Sequence, residues 1–400
     1  MGQILGLENR MLGPEKLAEF RAEFRSWMPI CRRFAYLDHA AVAPLPLPTG
    51  TAIQKWLDQA VHEGDVPWLQ WSGNLTACRQ NAADLLGASP DEIALVPNTT
   101  LGIHFIAAGF PWKTGDAVLA VGNEFPSNLL PWKQLASQGV EVQIYDPPAD
   151  GELVVDEILK QITPATRLVA ISWVGFASGY RLNVHHLAIE LNRRGILLSL
   201  DAIQGLGIYP LNVQETPVDF VIADGHKWLL GPEGAGVLYV RKSNLEKMRP
   251  VGVGWNSVQG SFSFAATELK YRDSAARYEG GSHNMAGFAG LNASLQLMQQ
   301  MRHKYGPTIW EDAVLDIASY AEKRLRESGA ILTRPNAAEH QSGIISFSWR
   351  EHEPNKVRQH CIDKGVVLSC RLGRLRIATH GYNNYEDIER LISGLLSVTG

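Results

Sequence analysis

The chain has 400 residues, 45% of them apolar and 20% charged, with a formal net charge of −4. That balance belongs to a compact globular protein, and the length points to two domains rather than one core. No block of like charges is present, which argues against nucleic acid as a partner, because neutralising phosphates needs clustered Lys and Arg.

Four cysteines (Cys31, Cys78, Cys361, Cys370) offer neither a disulfide framework nor a C-x-x-C metal pair. Reduced thiols in a cytoplasmic protein are expected, with no metal. Met1–Arg10 carries Glu8 and Arg10 where a signal peptide needs an apolar core, and Gly6 where a myristoylation site needs Ser or Thr. The most apolar stretch, 168–179, is too short to span a bilayer. No membrane role is expected.

The opening thirty or so residues have a helical pattern. From Glu92 to Val240 short β-rich runs alternate with amphipathic ones. Strands are predicted at Ile93–Pro97, Ala117–Val121, Glu141–Tyr145, Leu168–Trp173, Ile196–Leu200, Phe220–Ala223 and Gly236–Val240. Helical stretches fall between several of them, at Asn128–Gln138, Val155–Ile162 and Val184–Arg194. Strands separated by helices pair in parallel, and runs such as Ile196–Leu200 suit strands buried on both faces. The expectation is an α/β fold with a mostly parallel sheet between helices, Gly236–Val240 turning back antiparallel. After Phe288 the pattern changes to two long helices, 288–304 and 308–328, then strands near 343–349 and 375–379 and a final helix from Tyr385. This predicts a large domain over 36–287, a smaller α+β domain over 288–400, and a segment 1–35 packed beside the small one.

Ligands of such sheets bind at the carboxyl ends of strands. There stands Ala223-Asp-Gly-His-Lys-Trp, with Lys227 poorly solvated and so disposed to the neutral amine that Schiff-base chemistry requires. The glycines that follow are read as room for backbone to approach a bulky cofactor. Asp201 closes the strand before, where a carboxylate would face the ring nitrogen of pyridoxal phosphate (PLP), whose protonated ring accepts electrons. Asn98-Thr-Thr opens a helix whose free amides suit a phosphate; a simple cap is the other reading of Thr99 and Thr100.

On Tyr36-Leu-Asp-His-Ala-Ala41, Asp201-Ala-Ile-Gln204 and Gly225-His-Lys227, the chain resembles the class V aminotransferase group of PLP fold type I. That group contains cysteine desulfurases, selenocysteine lyases, kynureninase and isopenicillin-epimerase-like proteins. The resemblance implies PLP bound to Lys227, with Asp201 at the pyridine nitrogen and Gln204 at the ring hydroxyl. It implies Thr99, Thr100 and His226 at the phosphate, Phe125 stacked on the ring, and Ser282 reaching the phosphate of the other subunit of a homodimer. Arg376 would grip the substrate carboxylate, with Arg371 and Arg374 as neighbouring competitors, and His39 or His380 would reach the substrate. Asp224 stands where relatives place a phosphate-binding serine and is left out of the site, because an acid repels phosphate.

The implied substrate is a small α-amino acid, and transamination, epimerisation and carbon–sulfur cleavage stay open. A desulfurase needs a mobile thiol on a loop inserted before the arginine strand. Here Val366–Arg376 holds only Cys370 and no such loop. A PLP-binding regulator without turnover and, from the α/β pattern alone, a nicotinamide dehydrogenase are the other readings. The first leaves the electron sink and carboxylate clamp without a purpose, and the second lacks a G-x-G-x-x-G turn.

Overall fold

A computed structural model describes residues 12–263 and 268–398. Met1–Arg10, and with it the start of the expected 1–35 segment, lies outside the described residues. In chain order the strands are β1 (Ala35–Tyr36), β2 (Ile93–Val96), β3 (Ala117–Val121), β4 (Glu141–Tyr145), β5 (Thr166–Ser172), β6 (Leu197–Asp201), β7 (Phe220–Asp224) and β8 (Gly236–Val240). They continue as β9 (Ala330–Thr333), β10 (Ile344–Trp349), β11 (Val366–Val367), β12 (Ser369–Arg371) and β13 (Arg374–Ala378).

The alternation of side chains along each strand builds the central layer. Leu119, Val121, Val169, Ile171, Leu198, Leu200, Val221 and Ala223 enter one core with helices Trp68–Leu86, Val184–Arg193 and Met285–Tyr305. Their neighbours Val118, Leu168, Ala170, Phe220 and Ile222 enter the opposite core with helix Thr99–Gly109. Both faces are therefore dry, which is why these strands read as unbroken apolar runs. The sheet has seven strands in the order β2-β8-β7-β6-β5-β3-β4. β4, β3, β5, β6 and β7 are parallel; β8 is antiparallel to β7, and β2 beyond it, antiparallel to β8, runs in the direction of the parallel set again. The antiparallel return of Gly236–Val240 agrees with the sequence.

The C-terminal part forms a four-stranded antiparallel sheet, β12-β13-β10-β9. Its own core holds Phe347, Trp349, Leu375 and Ile377 under helices Ile309–Glu327, Pro354–Asp363 and Tyr385–Leu396. β1 joins this part by pairing in parallel with β11, Ala35 opposite Val366. The chain then crosses to the central sheet, where the Ala43 amide donates to the His226 carbonyl (2.7 Å).

Helix Pro14–Ser26 packs Phe20 and Phe24 edge-on against Trp310 and pairs Arg25 with Asp387 (2.8 Å). Helices Leu47–Glu63 and Trp68–Leu86 were not singled out in the sequence, and the predicted helix 128–138 is a short one, Leu130–Lys133, flanked by tighter turns. Among the described residues no helix is long and apolar enough to cross a membrane.

Candidate active site

Parallel strands that all end on one edge deliver their last residues to one place. At that edge lies a cavity of about 320 Å³ walled by Asn98, Thr99 and Thr100 after β2, Phe125 and Ser127 after β3, and Ser172 at the end of β5. Asp201 and Gln204 after β6, Asp224 at the end of β7, then His226 and Lys227, continue the wall, and Arg371 and Arg376 close it from the small sheet.

Burial sets the proton affinities. Loss of water pushes Lys227 down to about 8, with Arg376 and Arg371 adding repulsion and Asp201 opposing. The same loss raises Asp201 to about 6, against the Ile203 amide it accepts (3.0 Å) and the attraction of Lys227. Lys227 Nζ lies 5.7 Å from the centroid of the Phe125 ring, which meets Phe176 edge-on at 5.4 Å.

The Gln204 amide is oriented from both ends. Its oxygen accepts the Trp228 indole N–H (2.7 Å), and its nitrogen donates to the Ala40 carbonyl (3.0 Å), which leaves one amide hydrogen for the cavity. Asn98 caps helix Thr99–Gly109, its side chain taking the Leu101 amide (2.9 Å) and its carbonyl the Gly102 amide (3.2 Å). The amides of Thr99 and Thr100 are left for a ligand, since a helix start has no internal partners for them. Thr100 Oγ1 donates to Ser127 Oγ (2.7 Å), and Thr99 Oγ1 accepts the Asp224 amide (3.0 Å).

Arg376 is buried yet only partly used. Nε donates to Ser369 Oγ (3.1 Å), Nη1 to the Phe176 carbonyl (2.6 Å) and Nη2 to Asp38 Oδ1 (3.3 Å). Each terminal nitrogen keeps one N–H, a two-pronged end suited to a carboxylate. Burial pulls this guanidinium down to about 10, Asp38 opposing.

Several expectations change. His39 is not a cavity residue. Its ring is fully enclosed, Nδ1 beside the Ala378 carbonyl (3.0 Å) and Nε2 beside the Tyr382 hydroxyl (2.7 Å). Burial holds it down at about 4, a neutral ring with both nitrogens occupied. His380 is enclosed too, stacked on Trp228. The glycines around Lys227 serve protein packing rather than cofactor space. A Cβ on Gly225 would meet the Ala235 carbonyl at 2.6 Å, and one on Gly231 would meet Leu291 at 2.8 Å.

Asp224, set aside on the sequence, belongs to the wall. Its Oδ2 is 3.0 Å from His226 Nδ1 without hydrogen-bond alignment, and its Oδ1 is buried without a partner among the described residues. Ser282 lies elsewhere, in a separate cavity with Trp68, Trp71, Arg79, Trp255 and Glu279.

Sequence reasoning also missed Glu124. It is buried, accepts the Ser172 amide (2.6 Å) and hydroxyl, and is raised to about 7 by burial, with Asp201 contributing repulsion. The only signal was an acid beside Phe125 after a buried strand.

A primary amine of lowered proton affinity, a buried carboxylate at the end of the next strand, open helix-start amides and a free-ended arginine fit PLP. With this sheet and cavity they define a PLP enzyme of fold type I. The chain belongs to the class V aminotransferase family, whose model matches residues 35–391.

It is similar to a probable cysteine desulfurase of Methanothermobacter thermautotrophicus, 27% identical over 94% of this chain and 98% of that one. A cysteine desulfurase of Yersinia pseudotuberculosis is 27% identical over 90% and 92% of the two chains. Among solved structures, the apo cysteine desulfurase of Thermococcus onnurineus superposes with a TM-score of 0.83 at 24% identity, covering 93% of this chain and 96% of that chain. The cystine C-S lyase C-DES, solved with its product cysteine persulfide, gives 0.86 at 21% identity over 93% and 100%.

Proposed function

We propose that this enzyme cleaves the carbon–sulfur bond of a cysteine-type α-amino acid by direct β-elimination, with no protein thiol carrying the sulfur. The orientation of Cys370 carries the reading. Side chains alternate along β12, so Ser369, which bonds Arg376, and Arg371, which walls the cavity, share one face. Cys370 has the opposite face and packs against the core of the small sheet, where burial raises its proton affinity. A thiol that must attack substrate sulfur needs to be presented to the cavity and easily ionised, and this one faces away with its proton affinity raised. The relatives named cysteine desulfurases support carbon–sulfur chemistry over transamination or epimerisation.

Bound PLP supplies an electrophilic carbonyl carbon and an electron-accepting ring. Lys227 would hold the cofactor covalently, and its Nζ when free would take the substrate's Cα proton, for which a proton affinity near neutrality is apt. Asp201 would hold the proton on the ring nitrogen, Gln204 would donate to the ring hydroxyl, and Phe125 would pack against the ring. Thr99, Thr100 and His226 would hold the phosphate, and Arg376 would fix the α-carboxylate through its free prongs. Loss of the Cα proton and breakage of Cβ–S release the sulfur as a thiolate. With cysteine the balance is cysteine plus water giving sulfide, pyruvate and ammonia.

The wider organisation is read the same way: 36–287 as the cofactor-binding domain, 288–400 as the small domain with 1–35 beside it, in a cytoplasmic homodimer. Ser282 would complete the partner's phosphate site. Support for pairing is the exposure of Val61, Val66 and Leu69 together, at the junction of helices Leu47–Glu63 and Trp68–Leu86.

The test is incubation with cysteine and with alanine. Sulfide, pyruvate and ammonia should appear in equal amounts from cysteine alone, and Cys370→Ser should keep most of the rate. A persulfide on Cys370, with activity lost in the serine variant, would overturn the proposal.

A further inference from the structure

A second cavity, of about 250 Å³, opens beside the first, and Phe176 and Arg371 wall both. Its remaining lining includes the 147–151 loop with Asp150, Ser178, Thr333, Ser346 and the turn residues Leu372 and Arg374. The two cavities therefore adjoin at Phe176 and Arg371, and Arg376 meets the same wall by donating to the Phe176 carbonyl (2.6 Å), so a substrate gripped by Arg376 would have the chamber beside it.

The chamber carries an uncompensated charge. β12 and β13 form a hairpin in which Arg371 and Arg374 are direct cross-strand partners. Like charges in that register repel. Neither is ion-paired among the described residues: Arg371 donates to the neighbouring Cys370 carbonyl (2.7 Å), and Arg374 to the Thr333 hydroxyl. Asp150, on the facing loop, is the one carboxylate among the lining residues; its Oδ1 accepts the Glu152 amide (3.1 Å), and it pairs with neither arginine among the described residues. Arg371 also stands near enough to Arg376 to repel it. Two guanidinium groups at one turn, half-buried and neither of them ion-paired, outnumber the chamber's carboxylate and are stabilised by an anion arriving between them.

We propose that the preferred substrate is an α-amino acid whose sulfur carries a chain ending in a second carboxylate, with Arg371 as its principal anchor and Arg374 as its outer one. The proposal rests on the elimination reading for its sulfur and on the chamber alone for its second anion.

Unreactive ligands separate the two. Holoenzyme is titrated calorimetrically with the dicarboxylates glutarate, adipate and pimelate, and with monocarboxylates of the same chain lengths. At least one dicarboxylate should bind roughly 10-fold or more tighter than its monocarboxylate counterpart, the worth of one charge-assisted contact. Arg371→Gln should abolish that preference, read as the ratio of dicarboxylate to monocarboxylate affinity, so that a general effect of removing a charge from the cavity wall cancels. Arg374→Gln should reduce it in part. Cofactor absorbance and melting temperature check that each variant is folded. Equal affinities for the two ligand series, or a preference that survives both arginine variants, would overturn the proposal. Failure to form sulfide from cysteine would instead count against the elimination reading and leave this titration unaffected.

Discussion

Lys227 and Asp201 wall the cavity and Glu124 is buried near enough to Asp201 to feel its charge, and in the apoprotein each departs from its ordinary proton affinity in the direction burial dictates. Lys227 falls to about 8 from 10.5, so between those values the unfolded chain binds the extra proton and stability rises with pH. Asp201 and Glu124 rise to about 6 and about 7 from 3.8 and 4.5. In that acidic window the folded state holds the extra protons, and stability falls as pH rises. A melting-temperature profile of apoprotein should accordingly decline from pH 5 to 7 and recover above 8. Lys227→Met should flatten the alkaline limb and Asp201→Asn should shrink the acidic one. At Arg376, replacement by Lys keeps a charge but removes the fork, so substrate affinity should drop by about 1.5–3 kcal/mol with cofactor absorbance intact. Measured dissociation constants would decide it, and an unchanged value would move the clamp to another residue.

At the scale of elements, the β12–β13 hairpin shows what a short connection does. Its two central residues, Leu372 and Gly373, both have positive φ (48° and 75°), the backbone that two-residue hairpin turns require. Glycine adopts it freely, whereas leucine is strained there and is 75% exposed, so packing offers no offset. Leu372→Asn should stabilise the protein by about 0.5–1 kcal/mol, read from the denaturation midpoint. A loss would reveal a contact made by the leucine.

This turn also marks where the sequence stopped being legible. Apart from the edge strand β4, strands β2 to β8 are apolar on both faces and announced themselves, together with Lys227 and Asp201 at their ends. β9, β11 and β12 have two to four residues, with half-buried positions in each, and carry no periodic signal. Helix Leu47–Glu63 was obscured by Pro48 and Gly50, though proline is tolerated in a first turn. Asp224 was misjudged because charge repulsion was weighed without its neighbour His226. The Arg371–Arg374 pairing depends on strand register, which residue types alone did not fix.

On the scale of the whole molecule, exposed apolar side chains gather at 57–69, and Trp255 and Phe262 join them through Trp68. Leu57, Val61, Val66 and Leu69 are exposed there, and Trp68 meets Phe262 edge-on (5.3 Å), which in turn meets Trp255 (5.7 Å). The cavity that Trp68, Trp255 and Phe262 line also holds Ser282, and in its wall Arg79 and His283 fasten the buried Glu279. That ion pair is a rigid footing, since Arg79 also donates to the Ile93 carbonyl (2.7 Å) and Glu279 takes the Leu95 amide (2.8 Å). Ser282 is thus three residues from an anchored point and free to face outward. Pairing of two copies through this surface, as proposed, would remove apolar area from water and carry Ser282 to the partner's Thr99–Thr100 helix start. Two variants separate these effects. Leu69→Asp combined with Val66→Asp should shift the protein from dimer to monomer in sedimentation and weaken PLP retention, because each phosphate site loses a donor supplied across the interface. Ser282→Ala should leave the dimer intact and still weaken PLP binding, by about 0.5–1.5 kcal/mol for a lost hydrogen bond. If the aspartate variant turned monomeric with cofactor affinity unchanged, the phosphate site would be complete within one chain. Ser282 would then have to be struck from it.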